Sequence, residues 1–474
     1  MIMRFSIPVF TLFLLFISNT LFAAQELSQP LPISNIAQPE QPPQQMQNTP
    51  TENENWQQVD FSTNIQNQLN LALRKRNAAE IAYWLKHYQP NTPQQQFLRD
   101  YAQGVLAQLN GDYTQAVTYY RQLLAQSPDL NPIRLELARS LFALKQDDNA
   151  RTQFEKLLSA ADLPSPLQRE IGAYLNTLQQ RNQWEIQLSG YYVRDTNVNN
   201  ANDTKQIEGI AQLYKKDDWL PQTAHGIAYS LQVRRDFNLW QAYYLHLNAE
   251  LFGKTYWDNH DYDDLYIRTY VGIKHKSQRQ TWALLPFYER RFYGNHRYQE
   301  GTGLRLEYQR WLSPNWQISS ALEYTRTRYD EIASLNGNNR LWSNTLIWLT
   351  SPRQFFIFGV DYQQERTQVK RYQNHTQTLR LGWGREWQWG ISSRIQFSIA
   401  KRHYKDKAKI AIFSLGKIRQ DHIYRAEILL WKRDWHWLGI TPKLQFQWRK
   451  QHSNLPSLYN YQNKSINVIF EKNF

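Results

Sequence analysis

No cysteine occurs among the 474 residues. That excludes disulfides, thiolate metal sites, a cysteine nucleophile and a lipid anchor on an amino-terminal cysteine. Mean hydropathy is −0.70, which excludes a bundle of transmembrane helices. HExxH, Gly-x-Ser-x-Gly and a glycine-rich phosphate loop are also missing. No catalytic residue, metal ligand or cofactor site is therefore expected. What the chain does carry is positive charge, a net +14, and rings, at 14% of residues. Basic and aromatic together suit nucleic-acid binding. They equally suit a membrane barrel with aromatic girdles and a polar lumen, whose alternating strands escape hydropathy averages.

The amino terminus separates these two. Arg4 precedes an apolar run from Phe5 to Leu21, then Phe22-Ala23-Ala24. Residues 1–24 read as a secretion signal cleaved after Ala23 or Ala24. Export argues against a nucleic-acid partner. Residues 25–60, rich in Gln, Pro and Asn, read as a disordered linker with little to bury.

Residues 61–183 are patterned as helices and contain a repeat. Gly104, Ala116, Tyr120, Leu123 and Leu124 return 34 residues later as Ala138, Ala150, Phe154, Leu157 and Leu158. Together with Gly111, Tyr113 and Pro128, this resembles the tetratricopeptide pattern. Small residues let two helices approach, the aromatic fills the gap to the next repeat, Gly111 permits the turn and Pro128 ends a helix. One repeat further back, Ala82 alone survives clearly. Such repeats stack into concave surfaces that bind peptides or proteins.

Residues 184–474 change character, with sixteen of the eighteen tryptophans. Leu304, Leu306 and Tyr308 alternate with Arg305, Glu307 and Gln309. Trp316, Ile318, Leu322 and Tyr324 alternate with Gln317, Ser319, Glu323 and Thr325. Ile440, Leu444, Phe446 and Trp448 alternate with Thr441, Lys443, Gln445, Gln447 and Arg449. One face suits lipid and the other water. About fourteen such strands fit, with short connections alternating with longer ones such as Thr196–Ala224, Asp330–Asn339, Lys405–Ile418 and His452–Tyr461. The expected architecture is multidomain, α plus membrane β: helical repeats in the periplasm, then an outer-membrane antiparallel barrel. The last strand puts Ile466, Val468, Phe470 and Phe474 on one parity and is expected to close the barrel against Trp184–Arg194.

Several polar groups invite chemistry, each with a plainer explanation. His260, Asp261, Asp263 and Asp264 crowd an external loop; their spacing implies no ligand geometry, and a solvated acidic loop accounts for them. Glu289-Arg290-Arg291 suggests an ion pair inside the barrel. Lys401, Arg402, Lys405, Lys407 and Lys409 run toward another external loop and suit lipopolysaccharide phosphate or simple solvation. Asp195-Thr196-Asn197-Val198-Asn199-Asn200 follows the first strand, where Asn and Asp favour turns.

An exported chain with these repeats before such a barrel resembles the surface lipoprotein assembly modulator family, Slam, of type XI secretion. The likeness runs from about Phe61 to Phe474. It includes the Asp-Ser/Thr-Asn-x-Asn stretch just inside the barrel, here Asp195, Thr196, Asn197 and Asn199, and the terminal Phe474. The faint first repeat departs from the pattern. The resemblance implies delivery of particular lipoproteins, or of soluble haem-scavenging proteins, to the cell surface. The repeats would receive cargo or periplasmic chaperones and the barrel would provide the exit. Outer-membrane lipids and the barrel assembly machinery would be further partners. No reaction and no cofactor are implied. A polysaccharide exporter also joins such repeats to a barrel but would be expected to carry many more of them; a barrel hydrolase lacks its motifs here. Whether cargo crosses through the lumen or along the seam between first and last strands stays open. If the seam opens, Ile466, Val468 and Phe470 form one side of a lateral gate.

Overall fold

The structure, a computed structural model, describes residues 61–159, 163–207, 214–410 and 413–474. The expected signal and linker, residues 1–60, lie outside them.

Seven helices come first: α1 (Phe61–Lys75), α2 (Ala78–His87), α3 (Pro93–Leu109), α4 (Tyr113–Gln126), α5 (Asn131–Ala143), α6 (Asp147–Leu158) and α7 (Ser165–Arg181). Short polar residues begin several of them. The Asn77 side chain accepts from the Ala79 and Glu80 amides, Thr92 from Gln95, and Asp112 from Gln115, satisfying donors a helix start leaves free. Three helical pairs follow one another, and α7 caps the last. Each pair turns through a left-handed residue: Arg76 (φ 50°), Gly111 (φ 80°) and Lys145 (φ 58°). Only the middle turn uses glycine, the residue that adopts this conformation without cost.

The repeat core follows the small-to-large pattern. A Cβ on Gly104 would stand 2.7 Å from Cε1 of Tyr120, whose ring is fully buried. In the next pair Ala138 and Phe154 are buried in the equivalent places. Tyr174 of α7 stacks on Phe154 with centroids 4.8 Å apart and closes the array. Pro128 follows α4 beyond its cap Ser127. Ala82 does not match Ala116: it is exposed, and its neighbour Ile81 is fully buried. The caps Asn77 and Asp112 lie 35 residues apart, not 34, so a single extra residue between the first two pairs shifted the pattern and hid that repeat.

The barrel strands are β1 (Glu185–Asp195), β2 (Ala224–Trp240), β3 (Tyr243–Tyr256), β4 (Asp264–Lys276), β5 (Gln280–Tyr293), β6 (His296–Ser313) and β7 (Trp316–Tyr329). They continue with β8 (Gly337–Ser351), β9 (Gln354–Thr367), β10 (Asn374–Glu386), β11 (Ile391–Ile410), β12 (Phe413–Lys432), β13 (Ile440–Ser453) and β14 (Tyr461–Asn473). All fourteen close into one barrel in sequence order, with β1 beside β14. Leu304, Leu306, Leu322, Phe358, Val360, Leu379 and Leu381 are exposed on its outside. Arg305, Glu323, Asp361 and Arg380 from the other parity are buried inside. Period-two alternation around a closed sheet thus gives an apolar belt outside and a polar wall within.

Two external connections are tighter than open loops. Lys405–Ile418, expected as a loop, is mostly strand: β11 and β12 stay paired to Ile410 and Phe413, with register shifts after His403. Continued pairing satisfies backbone groups that an open loop would have to hydrate. Strand β6 begins at His296 after a two-residue turn, Gly294 (φ 56°) and Asn295 (φ 62°). Two left-handed residues make the tight hairpin turn whose twist matches that of the strands.

Candidate functional site

The helical array meets the barrel at its short-turn end. Tyr244, the second residue of β3, donates its hydroxyl to the Lys145 carbonyl at 2.7 Å. The left-handed turn at Lys145 exposes that carbonyl. Behind it, Arg181 pairs with Asp147 at 2.5 Å. Arg235 of β2 donates to the Asn182 side chain at 3.4 Å and lies over the rings of Trp184 and Phe237. The repeats are thereby held beneath β2 and β3, close to the strand that begins the barrel. None of these contacts has a signal in local sequence, since they join segments far apart in the chain.

Inside the barrel, charge is paired with charge. Arg268 binds Glu289 (Nε–Oε2 2.8 Å) and reaches Glu323 at 3.3 Å; Arg305 binds Glu323 at 2.7 Å and Glu307 at 2.6 Å. Arg380 grips both oxygens of Asp361 at 2.7 Å and also reaches Ser343 and Thr345. A Cβ on Gly359 would stand 2.6 Å from Cζ of Arg380, so the missing side chain makes room for the guanidinium. Of the Glu289-Arg290-Arg291 triplet, the outer two face inward. Arg291 is 0% exposed and binds Asp264 bidentately, at 2.8 and 2.7 Å; Arg290 pairs with Glu300 and Asp330. On strands β4–β10 the inner wall neutralises its own charge rather than presenting a basic surface.

The wall on either side of the β1–β14 junction is different. Asn467 bonds Gln445 at 3.1 Å, and Ser189 bonds Ser230 at 2.7 Å. Amides and hydroxyls lie here between two ion pairs, Lys443 with Glu471 at 2.6 Å and Arg234 with Glu185. The junction itself is short. β14 pairs with β13 over twelve residues, from Tyr461 to Lys472. With β1 it pairs over four, Gln187–Gly190 against Phe470–Asn473, with one further exchange between Ile186 and Phe474. Among the described residues the β1–β14 ladder stops at Gly190 and Phe470. Of the residues expected to close the barrel, Phe470 and Phe474 lie in this paired part, whereas Ile466 and Val468 lie beyond it.

The Asp195–Asn200 stretch sits above the gap. Asn197 and Asn199 are buried. The Asp195 carboxylate accepts from the Asn197 amide at 3.2 Å. The Asn197 side chain accepts from the Ala201 amide and donates to the Ala201 carbonyl, both at 2.8 Å. Asn199 donates to Leu220 and accepts from Gln222, tying the far end of the same loop. Thr196 lends its carbonyl to the Thr223 hydroxyl at 3.5 Å. The turn is self-satisfied, as Asx side chains allow. It also reaches across the barrel wall: Asn463 of β14 donates to the Asn197 carbonyl at 3.3 Å and to the Asn200 side chain at 3.0 Å. Continuing the register of the short ladder would set Asn197 opposite Asn463. The two strands therefore meet at the bottom through backbone and at the top through asparagines. Asn463 was not apparent from sequence, because its partner lies at the other end of the barrel domain.

His260 pairs with Asp263 at 3.0 Å, and Asp263 also accepts from the Tyr256 amide at 2.7 Å, which staples a tight loop. Arg402 of the basic run points inward to Thr376 at 3.2 Å.

A closed fourteen-stranded barrel with an apolar belt, aromatic rims and helical repeats beneath its short turns defines an outer-membrane protein of a Gram-negative bacterium, its helical domain in the periplasm. Trp184, Trp240, Trp389, Trp435 and Trp437 mark the periplasmic rim. The chain belongs to the surface lipoprotein assembly modifier family. The family's barrel model, "Surface lipoprotein assembly modifier", matches residues 184–474, and its "N-terminal TPR repeats" model matches residues 55–154. A surface lipoprotein assembly modifier of Pasteurella multocida is 36% identical over 85% of this chain and 81% of its own. Surface lipoprotein assembly modifier 1 of Haemophilus influenzae is 34% identical, over 85% and 83%. A hemophilin secretion modulator of Acinetobacter baumannii is 23% identical, over 86% and 85%.

Proposed function

We propose that this protein delivers particular lipoproteins, or a soluble secreted protein, from the periplasm to the cell surface. The observation that carries this is that both halves, repeats and barrel, match the family in order and over most of their length. Residues 61–183 receive the cargo, alone or with a periplasmic chaperone, and residues 184–474 provide the exit. The repeat residues Gly104, Gly111, Tyr113, Ala116, Tyr120, Pro128, Ala138, Ala150 and Phe154 act by holding the receiving surface in shape. Asp195, Thr196, Asn197 and Asn199 act by ordering the loop over the seam. Ile466, Val468, Phe470 and Phe474 form the closing edge. The protein works without chemical turnover, and the barrel assembly machinery inserts it. The test is co-expression with an epitope-tagged lipoprotein from the same operon, followed by antibody and protease on intact cells. Display should need the chain, and deletion of residues 61–183 should abolish it while leaving an inserted barrel. Equal display without the chain would sink the proposal.

A further inference from the structure

The short junction has a consequence for main-chain hydrogen bonding. Ile186 and Phe474 exchange both of their backbone hydrogen bonds. In an antiparallel pair such exchange recurs at every second residue. Phe470 and Lys472 therefore also turn their N–H and C=O toward β1, and so do Val468 and Ile466. Asn467 and Ile469 turn theirs toward β13, with which they are paired. The ladder ends at Phe470, so the main-chain groups of Val468 and Ile466 face Tyr192 and Arg194 of β1 outside the paired stretch. Their side chains are on the lipid face, 48% and 68% exposed, which places this stretch within the apolar belt. An open sheet edge at that depth is what membrane barrels otherwise avoid.

The gap is bounded rather than ragged. Below it lies the four-residue ladder; above it Asn463 clasps Asn197 and Asn200. The clasp is incomplete, since Oδ1 of Asn463 is buried without a hydrogen-bond partner. On the lumen side the gap borders Asn463, Ser465 and Asn467, uncharged groups that donate and accept alike.

We infer that the edge of β14 at Ile466 and Val468 is a docking site for an extended segment of the exported polypeptide, which adds as a strand within the seam. This rests on the translocator function proposed above. A row of unpaired N–H and C=O groups selects a peptide backbone in β conformation, whatever its side chains. The adjoining amides and hydroxyls tolerate varied side chains in the same way. Across the barrel the lumen wall offers no edge of this length, because each other pair of neighbouring strands is joined over eleven or more residues, with a two-residue break at Val271 and Gly272 of β4, and its charges are paired to one another.

The test exploits the direction of these groups. Val468→Pro removes a donor that faces the seam and leaves the β13 ladder intact, as edge prolines do. Asn467→Pro removes a donor that β13 uses. With an epitope-tagged lipoprotein from the same operon as probe, Val468→Pro should insert as a heat-modifiable barrel yet reduce surface display at least tenfold. Asn467→Pro should fail at insertion. In parallel, a photo-crosslinking residue at Ile466 or Val468 should capture the lipoprotein, and one at Leu322, equally lipid-exposed but far from the seam, should not. The crosslinking arm decides the matter even if Val468→Pro does not insert. Undiminished display by an inserted Val468→Pro, equal capture from Leu322, or an adduct of two copies of this chain would each overturn the docking site while leaving the translocator function standing. No display by the natural chain would overturn both.

Discussion

Replacing Asp361 with alanine tests whether the lumen wall is a packed lattice or the lining of a water-filled conduit. Arg380 is buried, and its guanidinium donates to both Asp361 oxygens at 2.7 Å. Ser343 donates to the same carboxylate at 2.6 Å. Removing one member of a buried pair strands the other charge, at about 3–5 kcal/mol. In an open aqueous lumen the same pair would contribute only about 0–1 kcal/mol. Ser343 and Thr345 remain to Arg380 in the variant, so a value near 3 kcal/mol is expected. The assay is urea unfolding of the barrel in lipid vesicles, followed by tryptophan fluorescence. With an m-value of roughly 2–3 kcal/mol/M, the midpoint should fall by about 1–1.5 M. Asp361→Leu combined with Arg380→Met, which removes both charges, should recover to within about 1 kcal/mol of the natural barrel. A loss below about 1 kcal/mol for Asp361→Ala would show that water reaches the pair. The wall on β8–β10 would then be a conduit surface.

Other outcomes follow from the helical half and the loops. Gly104→Ala gains about 1 kcal/mol of helix propensity but drives a methyl against the buried Tyr120 ring, at about 1–3 kcal/mol. The helical melting transition, followed by circular dichroism, should therefore fall; a rise would mean the helices can part without cost. Tyr244→Phe removes the hydrogen bond to Lys145, worth about 1 kcal/mol. Protease release of the helical domain from the barrel should quicken by roughly fivefold, and an unchanged rate would remove this contact from the docking. Burial pushes the Lys215 ammonium down to about 8 from 10.5, against a smaller upward pull from Asp203. The ordered loop sheds this proton above about pH 8, whereas the disordered loop keeps it to about 10.5. Between those values the disordered state binds more protons, so order increases with pH. Proteolysis of the β1–β2 loop should slow from pH 8 to pH 10 with the natural chain and show no such slowing with Lys215→Met.

Local periodicity was a good guide where one face of an element meets a uniform environment. Leu304, Leu306 and Leu322 meet lipid, and their parity located the strands. Tyr120 and Phe154 meet a helical core, and their spacing located the repeat. Periodicity failed where one residue was inserted, between Ile81 and Ala116, because a fixed offset then compares the wrong positions. It failed again at Lys405–Ile418, where polar side chains concealed a hairpin held by its backbone.

The pattern of side chains along the chain fixes the order of domains and which parity faces lipid, and it limits the barrel to about fourteen strands; closure at fourteen is read from the fold. Order and parity depend on the pattern of neighbouring side chains, and that pattern is complete in the chain. The final strand, alternating from Ile466 to Phe474, was recognisable as the one that closes the barrel. How far it closes was decided only by the tertiary structure. The β1–β14 ladder, the Asn463 clasp and the Tyr244–Lys145 contact each join residues that closure and docking bring together from distant parts of the chain. Their hydrogen bonds depend on distances between strands and helices, which no local pattern encodes.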